Sequence, residues 1–235
     1  MNLRAIAENL HAARARIERT ARQCGRGPSE IALLAVSKTF PAPYVEAAHE
    51  AGQRAFGESY AQEAVTKITA LAHLDLEWHF IGPVQSNKTR AIAEHFSWVH
   101  SIERAKVASR LNDARPSHLP PLNVCIQINV SGEATKHGVT PGAEQALAAE
   151  IMALPRLRLR GLMAIPEPGA GGDTPRSPYA RLRALKDSLV SQGYPLDTLS
   201  MGMSDDLEAA IAEGATLVRV GTAIFGRRPA AAGGT

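Results

Sequence analysis

One lysine stands at a position where a lysine is costly to bury. Lys38 follows residues 31–36, an apolar run with the composition of a buried strand. If the extended backbone continues, Lys38 shares a face with Leu34 and Val36, because side chains alternate along a strand. Burial disfavours the ammonium form and lowers the pKa of a lysine, and the neutral amine is the nucleophile that forms a Schiff base with an aldehyde. From position alone a second interpretation stays open, in which the side chain bends outward and keeps its charge in water.

Two segments near the C-terminus have the composition of an anion-binding cradle. Residues 201–204 follow one apolar run, and Gly221-Thr222 follows the next. Backbone N–H groups at Gly221 and Thr222, with the hydroxyls of Ser204 and Thr222, could hold a phosphate. Ordinary turn glycines and a helix cap at Ser204 explain the same residues. The carboxylates of Asp205 and Asp206 would repel a phosphate unless they point away.

Three more polar residues lie within or next to apolar runs. Arg219 shares a face with Leu217 and Gly221, and a buried arginine needs a partner, either a core acid or a ligand atom. His79 is interpreted as a core histidine with satisfied hydrogen bonds rather than as a base. Glu58 is interpreted as an acid in a first helical turn, without further role.

The elements that must position these residues alternate along the chain. An N-terminal helix is predicted from the apolar residues at 3, 6, 10, 13, 17 and 21, spaced by three or four. Strands are predicted at 31–36, 54–57, 76–81, 98–102, 122–130, 157–165, 196–201 and 216–220. Helices are predicted between and after them at 43–51, 59–72, 86–95, 103–114, 141–154, 178–192 and 204–213.

This alternation predicts an α/β fold, a single (β/α)₈ barrel with an extra N-terminal helix, over residues 1–235. The alternative is an open doubly wound sheet, whose dinucleotide-binding form is disfavoured because no GxGxxG follows the first strand. The functional face of such a barrel is at the C-terminal ends of its strands, where Lys38 and Arg219 fall. Residues 166–178 and the tail 228–235 are rich in small or turn-forming residues and are expected to be mobile.

Composition excludes several classes of function. The 45% hydrophobic and 21% charged residues are those of an ordinary globular protein, and no apolar run is long enough for a membrane span. The net charge of +3 comes from scattered basic residues, which disfavours nucleic-acid binding. Cys24 and Cys125 do not make a disulfide framework, and neither HExxH nor CxxC occurs, so we expect a cytoplasmic protein without a metal.

Seven motifs, in order over nearly the whole chain, closely resemble the YggS/PROSC family of pyridoxal-phosphate homeostasis proteins. They are LLAVSKT (33–39), FGESY (56–60), EWHFIGPVQSNK (77–88), IQINVS (126–131), LRGLMAI (159–165), LSMGMSDD (199–206) and VRVGTAIFG (218–226). The resemblance implies a barrel similar to the N-terminal domain of alanine racemase, with pyridoxal 5′-phosphate (PLP) as cofactor. Together the seven motifs are specific, whereas AVSK alone is not.

The resemblance also implies roles for individual residues. Lys38 would hold the cofactor aldehyde as a Schiff base, and Arg219 would face the pyridine nitrogen. The implied cofactor-binding set is Lys38, Ser59, Met203, Ser204, Arg219, Gly221 and Thr222. The family usually has Asn where this chain has Ser59, and a serine reaches less far toward a cofactor.

Two functions share such a barrel. A PLP carrier, acting in cofactor homeostasis and delivery to apo-enzymes, needs the lysine but no catalytic residues. A PLP-dependent racemase needs a second acid–base group on the opposite face of the substrate carbon, and Tyr44, Tyr60, Tyr179 and Tyr194 are not obviously placed for it. Only a short tail follows Gly226, so we expect no second, racemase-type domain. The sequence therefore favours a monomeric, non-catalytic carrier that binds neither nucleic acid nor membrane.

Overall fold

The computed structural model describes residues 3–131, 137–166 and 177–226. In these ranges eight parallel strands close into a barrel in which each strand pairs with its neighbours in the chain and the last pairs with the first. The strands are β1 (Ala32–Val36), β2 (Ala55–Glu58), β3 (Glu77–Phe80), β4 (Trp98–Ile102), β5 (Leu122–Gln127), β6 (Leu157–Met163), β7 (Thr198–Ser200) and β8 (Leu217–Val220). The helices are α1 (Arg4–Gln23), α2 (Ala42–Glu50), α3 (Ala61–Ala70), α4 (Thr89–His95), α5 (Ala105–Ala114), α6 (Glu144–Met152), α7 (Ser177–Ser191), α8 (Leu207–Ala212) and α9 (Thr222–Phe225).

The barrel prediction is confirmed, and the open sheet is excluded because β8 closes on β1. Continuous apolar runs form these strands because lumen and helices cover both faces. The strands are shorter than predicted at several ends. Within the segment predicted as strand 122–130, β5 ends at Gln127. The Ile128 N–H still donates to the carbonyl oxygen of Met163 in β6 at 2.8 Å, and Ile128 also forms an isolated bridge with Val139.

Helix α1 lies across the seam where the barrel closes. Its apolar stripe is buried against the outer layer, and fully buried Ile6 and Leu10 each contribute roughly 1.5–3 kcal/mol by leaving water. Polar bonds fix its position: Asn9 Nδ2 donates to the carbonyl oxygen of Ile224 at 3.0 Å, and Arg14 Nη1 donates to that of Ala51 at 3.1 Å. The predicted N-terminal helix thus packs against elements from both ends of the barrel sequence.

Close backbone contact explains a glycine in the sixth strand. A Cβ atom at Gly161 would overlap the carbonyl oxygen of Thr198 in β7. Any larger residue there would push β6 and β7 apart, which the closed sheet cannot accommodate without breaking hydrogen bonds.

The structure also bears on the predictions about membrane spans, metal ligands, cysteines and mobile segments. Across the described ranges no helix has the length and hydropathy to cross a bilayer, and no cluster of three potential metal ligands occurs. Cys24 is exposed and Cys125 buried, and both are free. The predicted tail 228–235 and most of the segment 166–178 lie outside the described residues. That the whole chain is one domain stays a prediction.

Candidate functional site

Lys38 lies at the C-terminal mouth of the barrel, just past the end of β1. Pairing with β2 continues one residue beyond the strand, because the Ser37 N–H donates to the carbonyl oxygen of Gly57 at 3.0 Å. The next residue, Lys38, is partly buried. The strand-end position predicted for it is confirmed, whereas its covalent role is not tested by the fold.

A buried ion pair lies directly behind this lysine. Glu58, the last residue of β2, is fully buried, and its Oε1 accepts hydrogen bonds from Lys67 Nζ at 2.6 Å and from Ser37 Oγ at 2.6 Å. Lys67 Nζ also donates to the carbonyl oxygen of Ser37 at 2.9 Å. Burial raises the pKa of the Glu58 carboxyl, and the charge of Lys67 opposes that shift. Both the side chain and the carbonyl of the residue before Lys38 are thereby held.

The residue after Lys38 is held by the same group of side chains. Thr39 has φ +70°, a left-handed conformation that is uncommon for a threonine and costs about 1–3 kcal/mol. Its N–H donates to Glu63 Oε1 at 2.7 Å, and Glu63 is paired in turn with Lys67 at 3.2 Å. Lys38 therefore sits between two anchored neighbours, in a backbone turn that these bonds maintain.

The interpretation of Glu58 as a first-turn acid is wrong. It ends a strand, and its side chain faces Lys67 of α3 rather than the solvent. The available signal was an acid closing an apolar strand, followed by a helix in which Glu63 and Lys67 are four residues apart. That spacing indicated a paired charge cluster next to the strand.

Arg219 is 4% exposed and reaches across the barrel interior. Its Nη1 donates to the carbonyl oxygen and to Oγ of Ser200, both at 2.7 Å, and its Nη2 donates to the carbonyl oxygen of Ala164 at 2.8 Å. Ala164 directly follows β6 and Ser200 is the last residue of β7, so the guanidinium lies near the C-terminal ends of the strands. In the described part of the chain it has no carboxylate in salt-bridge contact, and burial lowers its pKa to about 10. Among the described residues, therefore, Arg219 does not pair with a core acid, which was the structural alternative left open by the sequence.

The loop after β7 is organised by Asp206 and not by Ser204. The prediction that Ser204 caps the helix is wrong: α8 begins after Asp206, because residues 204–206 form a turn first. One carboxylate oxygen of Asp206 accepts the Met203 N–H at 2.6 Å, and the other accepts the hydroxyl of Tyr179 at 2.6 Å. These bonds hold both carboxylate oxygens of Asp206 against the loop and α7.

The N-terminal helix braces this loop from outside. Arg16 Nη1 donates to the carbonyl oxygen of Ser204 at 2.6 Å, and the same guanidinium pairs with both carboxylate oxygens of Glu208 in α8. The hydrogen bonding between Arg16 and Glu208 raises the pKa of Arg16 and lowers the pKa of Glu208. Sequence reasoning missed Arg16, because nothing local links residues 188 positions apart.

The loop after β8 leads at once into the short helix α9. Gly221 and Thr222 precede or begin its first turn, where N–H groups have no partner within the helix. Among the described residues, no hydrogen bond engages the backbone N–H of Ser204, Gly221 or Thr222. A Cβ at Gly221 would lie 3.3 Å from the carbonyl oxygen of Val36, which is tighter than most contacts and suits a glycine.

Ser59 lies at the same rim, directly after β2. Its backbone packs so closely on Gly82 that a Cβ at that glycine would overlap the carbonyl oxygen of Ser59. The structure thus places Lys38, Ser59, Met203, Ser204, Arg219, Gly221 and Thr222 at the C-terminal ends of the strands or in the loops that follow. Their contacts with a cofactor stay predictions.

Comparison with known proteins identifies relatives along nearly the whole chain. The family model described as "Alanine racemase, N-terminal domain" matches residues 1–229. The chain is 60% identical to a pyridoxal phosphate homeostasis protein of Pseudomonas aeruginosa, over 95% of this chain and 96% of that protein. It is 56% identical to the protein of the same name in Escherichia coli K12, over 95% and 97%.

Solved structures agree with the fold. PipY of Synechococcus elongatus, solved with PLP bound, has a TM-score of 0.82 and 36% identity, and the match covers 94% of this chain and 100% of that one. Alanine racemase from Corynebacterium glutamicum has a TM-score of 0.71 at 18% identity, which shows a common fold; the match covers 64% of that chain. This chain therefore belongs to the family of pyridoxal phosphate homeostasis proteins, built on the barrel of the alanine racemase N-terminal domain.

Proposed function

We propose that this chain binds pyridoxal 5′-phosphate at the C-terminal mouth, as a Schiff base on Lys38, and serves cofactor homeostasis without turnover of a substrate. The observation that supports this most directly is the pairing of β1 with β8, in which Leu34 and Arg219 are partners in register. Lys38 and the guanidinium therefore approach one mouth from neighbouring strands. The aldehyde and the ring nitrogen of PLP are at opposite positions of its ring, so the two side chains suit its two ends.

The loops after β7 and β8 suit the remaining group, the phosphate. Ser204, Gly221 and Thr222 offer N–H groups and hydroxyls. The carboxylate of Asp206 lies in the loop after β7, and its two oxygens accept hydrogen bonds from the Met203 N–H and the Tyr179 hydroxyl.

PLP, when bound, supplies an aldehyde for imine formation and a ring that can withdraw electrons from an attached amino acid. Arg219 donates hydrogen bonds and retains its proton, so a ring nitrogen facing it stays unprotonated and withdraws electrons less strongly. Tyr179 is unsuited as the opposing base of a racemase, because its hydroxyl is bonded to Asp206 and burial raises its pKa further. These features favour a carrier over a racemase. The proposed carrier is a cytoplasmic monomer that passes PLP to apo-enzymes.

The covalent site is tested by an absorbance spectrum after incubation with PLP, followed by borohydride reduction and peptide mapping. We expect a visible band from the Schiff base, which forms with loss of one water. Hydride from borohydride and a proton then convert it to a secondary amine, and this reduced adduct should map to Lys38. Lys38→Ala should abolish both, whereas Lys88→Ala, a partly buried lysine bonded to Gln62, should change neither. An adduct spread over surface lysines would overturn the proposal.

Carrier and racemase are separated by two further assays on the PLP-loaded protein. A carrier restores activity to an apo PLP-dependent enzyme and leaves the optical rotation of L-alanine unchanged. A racemase causes rotation to decay, and the decay stops in Lys38→Ala. Decay of the rotation by the wild-type protein would refute the non-catalytic part of the proposal.

A further inference from the structure

A row of five hydrogen-bonded polar side chains crosses the barrel lumen, where branched apolar residues dominate in most barrels of this type. We call this row the file; its members are Arg219, Ser200, His100, His79 and Glu77. It begins at Arg219, whose Nη1 contacts Ser200 Oγ at 2.7 Å, and Ser200 Oγ lies 2.7 Å from Nδ1 of His100. Nε2 of His100 lies 2.9 Å from Nδ1 of His79, and Nε2 of His79 lies 2.6 Å from Oε1 of Glu77. Because β4 and β7 are not neighbours, the bond between His100 and Ser200 spans the interior.

The file runs from one end of the barrel to the other. Ser200 ends β7 at the C-terminal side, whereas Glu77 begins β3 at the N-terminal side and is half exposed. The residues between are closed to water, with exposures of 0% for Ser200 and His100 and 1% for His79. Buried polar groups at this density are tolerated only when each one has its hydrogen bonds.

When Glu77 is ionised and both imidazoles are neutral, only one arrangement of protons satisfies every bond in the file. A guanidinium can only donate, so Ser200 Oγ accepts from Arg219 and turns its own proton toward Nδ1 of His100. His100 then carries its proton on Nε2 and donates to Nδ1 of His79. His79 likewise carries its proton on Nε2 and donates to the carboxylate of Glu77. In this arrangement each donor points away from Arg219.

The electrostatic surroundings agree with neutral rings. Burial lowers the pKa of both histidines, and for His100 the charge of Arg219 acts in the same direction. Glu77 opposes the shift at His79, and the bond to His79 in turn lowers the pKa of Glu77. On the other side, the ring of Trp98 stacks on His79 at 5.3 Å and has the guanidinium of Arg160 over it at 4.8 Å, which adds a positive charge near the ring pair.

We propose that His100 and Ser200 are positioning residues for Arg219, held in one proton arrangement by His79 and Glu77 at the far end of the barrel. The file fixes one edge of the guanidinium against Ser200 and Ala164, which restricts the directions in which the remaining N–H groups can donate. It also gives Arg219 no group to which it can transfer a proton without breaking the file. This inference rests on the proposed function for its effect on PLP, but the proton arrangement itself is a property of the protein without cofactor.

Two substitutions of one histidine separate positioning from packing. In His100→Asn the amide oxygen takes the place of Nδ1 and still accepts from Ser200, whereas in His100→Gln the amide nitrogen takes the place of Nε2 and donates only to His79. Both remove ring atoms at the same buried position. We expect His100→Gln to shift the absorbance of the PLP-loaded protein in the same direction as Ser200→Ala, and His100→Asn to leave it unchanged.

Nitrogen NMR of the imidazoles in the cofactor-free protein tests the arrangement independently. We expect His79 and His100 to show one protonated nitrogen each, Nε2, at neutral pH. A protonated Nδ1 on His100, or equal spectral shifts in the Asn and Gln variants, would overturn the inference. If no variant, nor the wild-type protein, developed a visible band with PLP, the proposed function would fail while the NMR result still stood.

Discussion

Nζ of Lys67 and Oε1 of Glu58 lie 2.6 Å apart, with side-chain exposures of 4% and 0%. The ion pair is thus closed to water immediately behind the backbone that presents Lys38. A buried pair adds little net stability, but removal of one partner leaves a charge without compensation.

Lys67→Met should therefore destabilise the fold by about 3–5 kcal/mol. The double variant Lys67→Met with Glu58→Gln should recover much of that loss, because the orphaned carboxylate is gone. Chemical denaturation of the two variants and the wild type gives the comparison. Equal stability of the single variant and the wild type would show that the pair is not closed to water.

Arg16 should influence anion binding at a loop that it touches only through a carbonyl. Arg16→Ala removes the bond to Ser204 and the pair with Glu208, and we expect about a tenfold loss of PLP affinity, since a bond to a charged group contributes about 1.5 kcal/mol. Titration of PLP followed by absorbance measures it. Arg14→Ala is the matched control on the same helix, because Arg14 bonds to Ala51 and Gly52 away from the loop. Equal losses in both variants would indicate general loosening of α1.

The buried histidines should make the fold sensitive to mild acid. Burial depresses the folded-state pKa of His79 and His100 below the unfolded value of about 6.5, so their contribution is complete above that pH and is lost as pH falls. For each imidazole that stays neutral in the folded protein, the free energy of unfolding falls by up to about 1.4 kcal/mol per pH unit below 6.5. Denaturant titrations between pH 7 and 5 should show the free energy of unfolding fall. Carboxylates with lowered pKa values, such as Asp197 and Glu208, lose their stabilising contribution only below about pH 4.5, so they do not account for this fall. A flat profile between pH 7 and 5 would contradict neutral rings.

The two cysteines should differ sharply in reactivity. Cys24 is exposed, whereas burial raises the pKa of the Cys125 thiol to about 12 in the lumen. Because the thiolate is the reactive form, iodoacetamide at pH 8 should label Cys24 alone in the folded protein. Mass spectrometry should find one adduct before unfolding and two after. Labelling of Cys125 in the folded state would mean that the lumen opens.

The fold and the position of Lys38 follow from local patterns in the sequence. Alternating apolar runs and amphipathic stretches predict the barrel, and the rule that functional residues gather at C-terminal strand ends then selects Lys38 and Arg219. These inferences need only neighbours in the chain and one property of the fold class.

Contacts between distant residues could not be predicted in the same way. His100 and Ser200 meet across the lumen from positions 100 residues apart, and their approach depends on strand register and on which face each strand turns inward. His79 was correctly interpreted as a core histidine, but its partners could be identified only from the three-dimensional structure. The cap at Ser204 failed for a related reason, since Asp206 competes for the same loop through Met203 and Tyr179.

The closure of β8 on β1, and the bond from Arg16 to Ser204 across 188 residues, also determine when the site comes into existence. On the ribosome the chain emerges from its N-terminus, so Lys38 is made long before the strand that supplies Arg219. The early lysine spends most of synthesis without the arginine, the loops after β7 and β8, or the barrel lumen. In a nascent chain the proposed attachment point is therefore only a solvated amine, and the mouth becomes complete only with β8.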